Sequence, residues 1–166
     1  PGIDQLNIMC TTLDELYQQV HNGENLEKIN ENGFLFFDID YEKDDIRDIK
    51  NYTLYLLKCI YIALKTKKGC IIKTWEIIYK PIIDSIYILT GVYKNVYISK
   101  PTTTQYQNDR FIICKDINQF YETRENNDEL VNNIASTISY ISDKYETNNN
   151  SLDNKLCIKS VIENTL

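Results

Sequence analysis

Short apolar runs and longer helical-period stretches alternate along the middle of the chain. Residues 34–38 (Phe-Leu-Phe-Phe-Asp) and 70–74 (Cys-Ile-Ile-Lys-Thr) are compact apolar runs, the signature of strands inside a largely parallel sheet. Between them Leu54, Leu57, Ile60, Tyr61 and Leu64 recur at helical spacing, which predicts an amphipathic helix with one stripe toward a core. Lys65, Lys67 and Lys68 close it with cations that suit the negative end of the helix dipole. A second helix is predicted over 81–90, with Ile82, Ile83, Ile86 and Leu89 inward, Pro81 in its first turn and Gly91 at its exit. Residues 95–99 and 110–114 predict two more strands. The polar linker between them, 100–109, is long for a hairpin.

At the amino end Thr12 and Glu15 form a capping-box pattern that predicts a helix to about His21, ended by Asn22-Gly23. Residues 24–33 read as loop or weak helix and 41–50 as a charged loop. Leu130, Val131, Ile134, Thr137, Ile138 and Ile141 share one face of a predicted helix over 128–145. An Asn-rich turn and a weakly helical tail follow.

The order strand, helix, strand, helix, strand, strand has helical crossovers joining the first three strands, which should therefore lie parallel. The last strand can return antiparallel beside the third. The expected class is α/β: the second half of a doubly wound, Rossmann-like sheet, mostly parallel with an antiparallel last strand, plus C-terminal helices. The expected organisation is an N-terminal helical and loop segment (1–33), an α/β core (34–116) and a C-terminal helical segment (117–166).

Composition narrows the chemistry. With 166 residues, 43% hydrophobic and 25% charged, the chain suits one globular domain. No apolar run reaches the roughly 18 residues of a membrane span. Residues 1–4 lack the basic and apolar regions of a secretory signal. Cys10, Cys59, Cys70, Cys114 and Cys157 are scattered singly, which reads as reduced and intracellular. His21 is the only histidine, which argues against zinc and against His-based catalysis. The net charge is −6, yet residues 58–115 hold ten Lys/Arg against three Asp/Glu. An acidic chain with so basic a middle can hold a polyanion locally, although lysines also coat ordinary helix and loop surfaces.

Two apolar strands end in ionisable groups: Asp38 after Phe37, and Lys73 after Ile72. Such a charge is either solvated at the sheet's rim or placed for work. Ligands of open α/β sheets bind at the carboxyl ends of the strands, so two strands delivering an acid and an amine to one rim make a candidate site. Asp109, ahead of the last strand, is a third candidate; its plain reading is a loop acid paired with Arg110 or Lys115. Trp75 could stack on a base or serve as a core or rim aromatic.

The order and spacing of these residues resemble the FtsJ-like family of RNA ribose 2′-O-methyltransferases, most closely viral mRNA cap enzymes. The resemblance runs over about residues 34–116. It rests on Gly69-Cys70-Ile71-Ile72-Lys73, on Tyr97-Ile98-Ser99-Lys100-Pro101-Thr102-Thr103-Thr104, and on Asn108-Asp109-Arg110-Phe111-Ile112-Ile113-Cys114-Lys115. Within the family's Lys-Asp-Lys-Glu set, Asp38 matches the Asp (Asp40 is a competing match), Lys73 the second Lys, and Asp109 stands where Glu is usual. The first Lys has no counterpart, and no Gly-rich strand-to-helix turn for S-adenosylmethionine precedes residue 34.

The resemblance implies a Rossmann-like methyltransferase fold and S-adenosyl-L-methionine as cofactor, with no metal. It implies RNA or capped mRNA as substrate, and Lys73 as base or orienting amine positioned by Asp38 and Asp109. Lys100, Thr102, Thr103, Thr104 and Arg110 would bind RNA. It also implies a second capping-enzyme chain or an upstream domain as partner, and a place in the cytoplasm, virion or viral factory. A second resemblance leads elsewhere. Cys70-Ile71-Ile72-Lys73, the Ile-rich helix after it and Tyr93-Lys94-Asn95-Val96 are also similar to the small regulatory subunit of viral mRNA-capping enzymes. That subunit is a non-catalytic, methyltransferase-like protein that stimulates a cap guanine-N7 methyltransferase.

Overall fold

A computed structural model describes residues 12–24, 33–38, 49–74, 80–102, 109–122 and 124–147. In chain order these form α1 (Leu13–His21), β1 (Phe34–Phe37), α2 (Ile49–Thr66), β2 (Gly69–Thr74), α3 (Lys80–Val92), β3 (Tyr93–Ser99), β4 (Arg110–Ile117), α4 (Gln119–Glu122) and α5 (Arg124–Thr147). The fold is α/β with one four-stranded mixed sheet. The capping box at α1 is complete: the Thr12 hydroxyl accepts from the Glu15 amide at 3.2 Å, and the Glu15 carboxylate accepts from the Thr12 amide at 3.3 Å. Residues 25–32 of the 24–33 loop, the 41–48 part of the charged loop, the Asn-rich turn from 148 and the tail lie outside the described residues.

The sheet order is β1-β2-β4-β3. β1 and β2 pair in parallel, while β4 is antiparallel to both β2 and β3. β1, β2 and β3 therefore share one direction, as the crossovers require. The pairing is not mostly parallel, however: one pair is parallel and two are antiparallel. β4 enters between β2 and β3 instead of adding outside β3. Burial accounts for the choice. Ile112 and Cys114 of β4 are fully buried and need a neighbour on each side, whereas β3 carries exposed Lys94, Tyr97 and Ile98 and tolerates an edge. The linker over 100–109 is long enough for the chain to return into that gap.

The core lies on one face of the sheet. Phe37, Cys70, Ile72, Thr74, Ile112 and Cys114 are buried there, and α2 and α3 cover them. The expected single stripe on α2 is too narrow. Leu56, Cys59, Ile62 and Ala63 are also fully buried, because α2 packs against α1, α3 and α5 as well as the sheet. A helix apolar nearly all round is a buried helix. Its mid-helix cation, Lys58, leaves the core to pair with Asp14 of α1 at 2.6 Å. The opposite face of the sheet leaves Phe36 57% and Tyr97 53% exposed. On that face a Cβ at Gly69 would stand 2.5 Å from the Phe34 ring and 3.0 Å from the Cys114 carbonyl, so any larger residue must displace the Phe34 ring and crowd β4.

The core thiols and Tyr93 set an alkaline limit. Burial pushes the Cys59 thiol and the Tyr93 hydroxyl well up. A hydrogen bond with Cys70, then burial, does the same to Cys114, the cross-strand partner of Cys70. The fold favours the neutral forms, so unfolding releases these protons first from the open chain, near ordinary values of 9.0 and 10.0. Stability is full below about pH 9 and falls above it, by up to about 1.4 kcal/mol per pH unit for each such group. Urea melts should share a midpoint at pH 7 and 8 and shift to lower urea at pH 10. An unchanged midpoint at pH 10 would contradict this.

Candidate functional site

Register brings the acid and the amine together. Phe37 of β1 stands beside Ile72 of β2, so the next residues, Asp38 and Lys73, stand beside each other one step further. Neighbouring strands lie about 4.8 Å apart, within reach of a short carboxylate and a flexible amine. The Lys73 ammonium meets the Asp38 carboxylate at 2.9 Å. The pair is asymmetric: the Lys73 side chain is 18% exposed and that of Asp38 47%. Lys73 thus lies along the sheet's open face with its charge held at the rim. Phe111, opposite Lys73 in β4, lies on that face, and its ring stacks on Phe36 with centroids 6.4 Å apart.

Asp109 does not join them. It precedes β4, two residues before Phe111, and two extended residues carry it roughly 7 Å past the Lys73 row. Among the described residues its carboxylate makes no ion pair with Lys73. Its carbonyl accepts from the Arg110 guanidinium at 3.0 Å, a contact through the backbone and not the acid–cation pair of the plain reading.

Arg110 stands opposite Thr74. Lys100 follows β3 and is exposed, as is Thr102; β4 lies between β3 and the strands that carry the pair, and Arg110 shares the helix-side row of Thr74 instead of the open face of Lys73. Thr103, Thr104, Asp40 and Trp75 lie outside the described residues. No group of three or more His, Cys, Asp and Glu is placed to hold a metal among the described residues, and no described helix is long and apolar enough to cross a membrane.

Two tyrosines of α2 support the strand ends and went unremarked in the sequence. The Tyr55 hydroxyl stands 3.5 Å from the Phe37 carbonyl and 3.5 Å from the Lys73 carbonyl. The Tyr52 and Thr74 hydroxyls are hydrogen-bonded to each other. Their available signal is spacing: Tyr52 and Tyr55 are one helical turn apart, and Thr74 alternates with Lys73, so it faces α2 when Lys73 faces away.

A cavity of about 180 Å³ is lined by Tyr87, Ile88, Gly91, Tyr121 and Leu130, among others, away from Asp38 and Lys73. It is smaller than the roughly 300 Å³ at which ligand pockets begin. That cavity is too small for S-adenosylmethionine. Compared with known proteins, the chain matches no protein-family model, and no curated protein is significantly similar to it.

Proposed function

We propose that this chain carries the proton-handling edge of an RNA ribose 2′-O-methyltransferase of the mRNA-cap type, with the methyl donor held by another polypeptide segment or chain. The observation that carries the reading is the 2.9 Å pair of Lys73 and Asp38 at the carboxyl ends of adjacent parallel strands, where open α/β sheets place their ligands.

S-adenosylmethionine, when bound, would supply an electrophilic methyl on a sulfonium. The work of this chain is at the acceptor. As the ribose oxygen gains a carbon it must lose its proton, and an amine beside it can take that proton if neutral or orient the hydroxyl if charged. The Asp38 carboxylate, 2.9 Å away, fixes the direction of the Lys73 amine. Holding the hydroxyl in line supplies much of the rate.

Lys100 and Arg110 serve RNA phosphates in this reading. Lys100→Ala with Arg110→Ala is expected to weaken binding of a capped oligoribonucleotide and to flatten the slope of log affinity against log salt by about 1 to 1.5. An unchanged slope in fluorescence anisotropy would remove both residues from the interface.

One observation favours the regulatory-subunit reading instead: the Asp109 carboxylate stands off Lys73, which leaves the acid–amine–acid set incomplete. Measuring heat on titrating S-adenosylmethionine into the complete protein, and into its complex with a cap guanine-N7 methyltransferase, separates the two. Donor binding together with 2′-O-methyl transfer supports the enzyme. Tight association with the N7 enzyme and no donor site on this chain supports the subunit.

A further inference from the structure

We infer that Tyr55 is a positioning residue for Lys73: its hydroxyl clamps the two strand ends on which the Asp38–Lys73 pair is built. The inference rests on the function proposed above. The two carbonyls it reaches are not arbitrary. One belongs to Phe37, whose peptide bond leads into Asp38; the other belongs to Lys73 itself. A single hydroxyl 3.5 Å from each is a long contact shared between two acceptors, weaker than the bond of about 2.5–3.0 Å usual for a hydroxyl. It spans the gap between β1 and β2 at the row where their side chains form the ion pair.

The pair and the clamp lie on opposite sides of the sheet. Lys73 turns to the open face while the Tyr55 ring is buried on the helix side, so the hydroxyl touches neither ionised group. Its influence passes through the backbone. The Tyr52–Thr74 bond fixes the residue after Lys73 to the same helix one turn earlier, so α2 meets β2 at the Lys73 carbonyl and at the next side chain. The Tyr55 hydroxyl also neighbours the Cys59 thiol one turn on, which ties it into the core. The structure accordingly places α2 under a site whose Asp38 half lies beyond the end of a four-residue strand.

Tyr55→Phe removes the hydroxyl and keeps the packed ring. Tyr61→Phe, on the same helix but bonded to His21 at 3.1 Å instead of the sheet, controls for loss of any tyrosine hydroxyl. Two readouts are taken on the complete protein or complex that contains this chain: the rate at which acetic anhydride labels the Lys73 amine, read by peptide mass spectrometry, and kcat and KM for methyl transfer to capped RNA. Tyr55→Phe is expected to speed labelling several-fold and to lower kcat about tenfold with KM little changed, since small misplacements of a positioned group cost that much or more. Tyr61→Phe should leave both readouts at wild-type values. Labelling of Lys73 in Tyr55→Phe at the wild-type rate, with the urea midpoint unchanged, would overturn the clamp whatever happens to transfer. Faster labelling in a protein whose unsubstituted form transfers no methyl group would uphold the clamp and overturn the proposed function.

Discussion

Lys73→Ala is expected to lower methyl transfer to capped RNA by about a thousandfold, the combined worth of a positioned acid–base group and the geometry it imposes. The loss should fall on kcat. Lys73 sits on the open face beside Asp38, and RNA phosphates are served in this reading by Lys100 and Arg110, so KM should stay within about threefold while uniform binding is intact. Removing the amine leaves Asp38 as a carboxylate nearly half exposed, which water solvates at little cost, so stability should move by less than about 1 kcal/mol. Lys73→Arg distinguishes charge from proton transfer. The guanidinium keeps the ion pair but does not deprotonate, so Lys73→Arg should fold and bind RNA like the wild type without restoring the rate. Transfer at more than about a tenth of wild-type in Lys73→Ala would remove the residue from the chemistry.

Leu57→Ala is expected to have the largest effect on stability, about 3 kcal/mol, within the range for buried leucines that leave a cavity. Leu57 is 1% exposed on α2, the helix that packs against α1, α3, α5 and the sheet. Few neighbours are free to collapse into the space. A loss of that size corresponds to a melting temperature lower by roughly 10 °C for a domain of this size. The adjacent Lys58 is the contrast. Its pair with Asp14 is short, at 2.6 Å, but the Asp14 side chain is 76% exposed, so water and salt screen it. Lys58→Ala should cost at most about 1 kcal/mol. Thermal melts of the two variants at one pH check both numbers, and equal losses would mean that α2 is not the centre of the core.

Much of this architecture was legible before any coordinates. The helix start at Thr12, the four strands and the crossovers follow from local rules of capping and periodicity, and these act over a few residues at a time. What stayed hidden depends on residues distant in sequence. Nothing near β4 says that it will enter between β2 and β3; that depends on how much of Ile112 and Cys114 other elements can cover. Nothing in α2 alone separates one apolar stripe from burial all round, because α1 and α5 are what close its outer side.

The site divides the same way. Asp38 and Lys73 could be paired on paper because each ends a strand, and parallel register then sets them side by side. Asp109 could not be placed, because its distance from Lys73 depends on the antiparallel register Lys73↔Phe111, which puts it one pair of residues too far along. Tyr55 gave only a helical spacing, shared with many core tyrosines.

The central claim is that the Lys73–Asp38 edge serves transfer to a ribose hydroxyl. It is tested most directly by locating the methyl group. The complete protein or complex containing this chain is given capped RNA and isotopically labelled S-adenosylmethionine, and the RNA is digested to nucleosides for mass spectrometry. The account predicts label on the ribose 2′-oxygen next to the cap, lost in Lys73→Ala while RNA binding persists. Label on guanine N7, at the same level with and without Lys73, would contradict it.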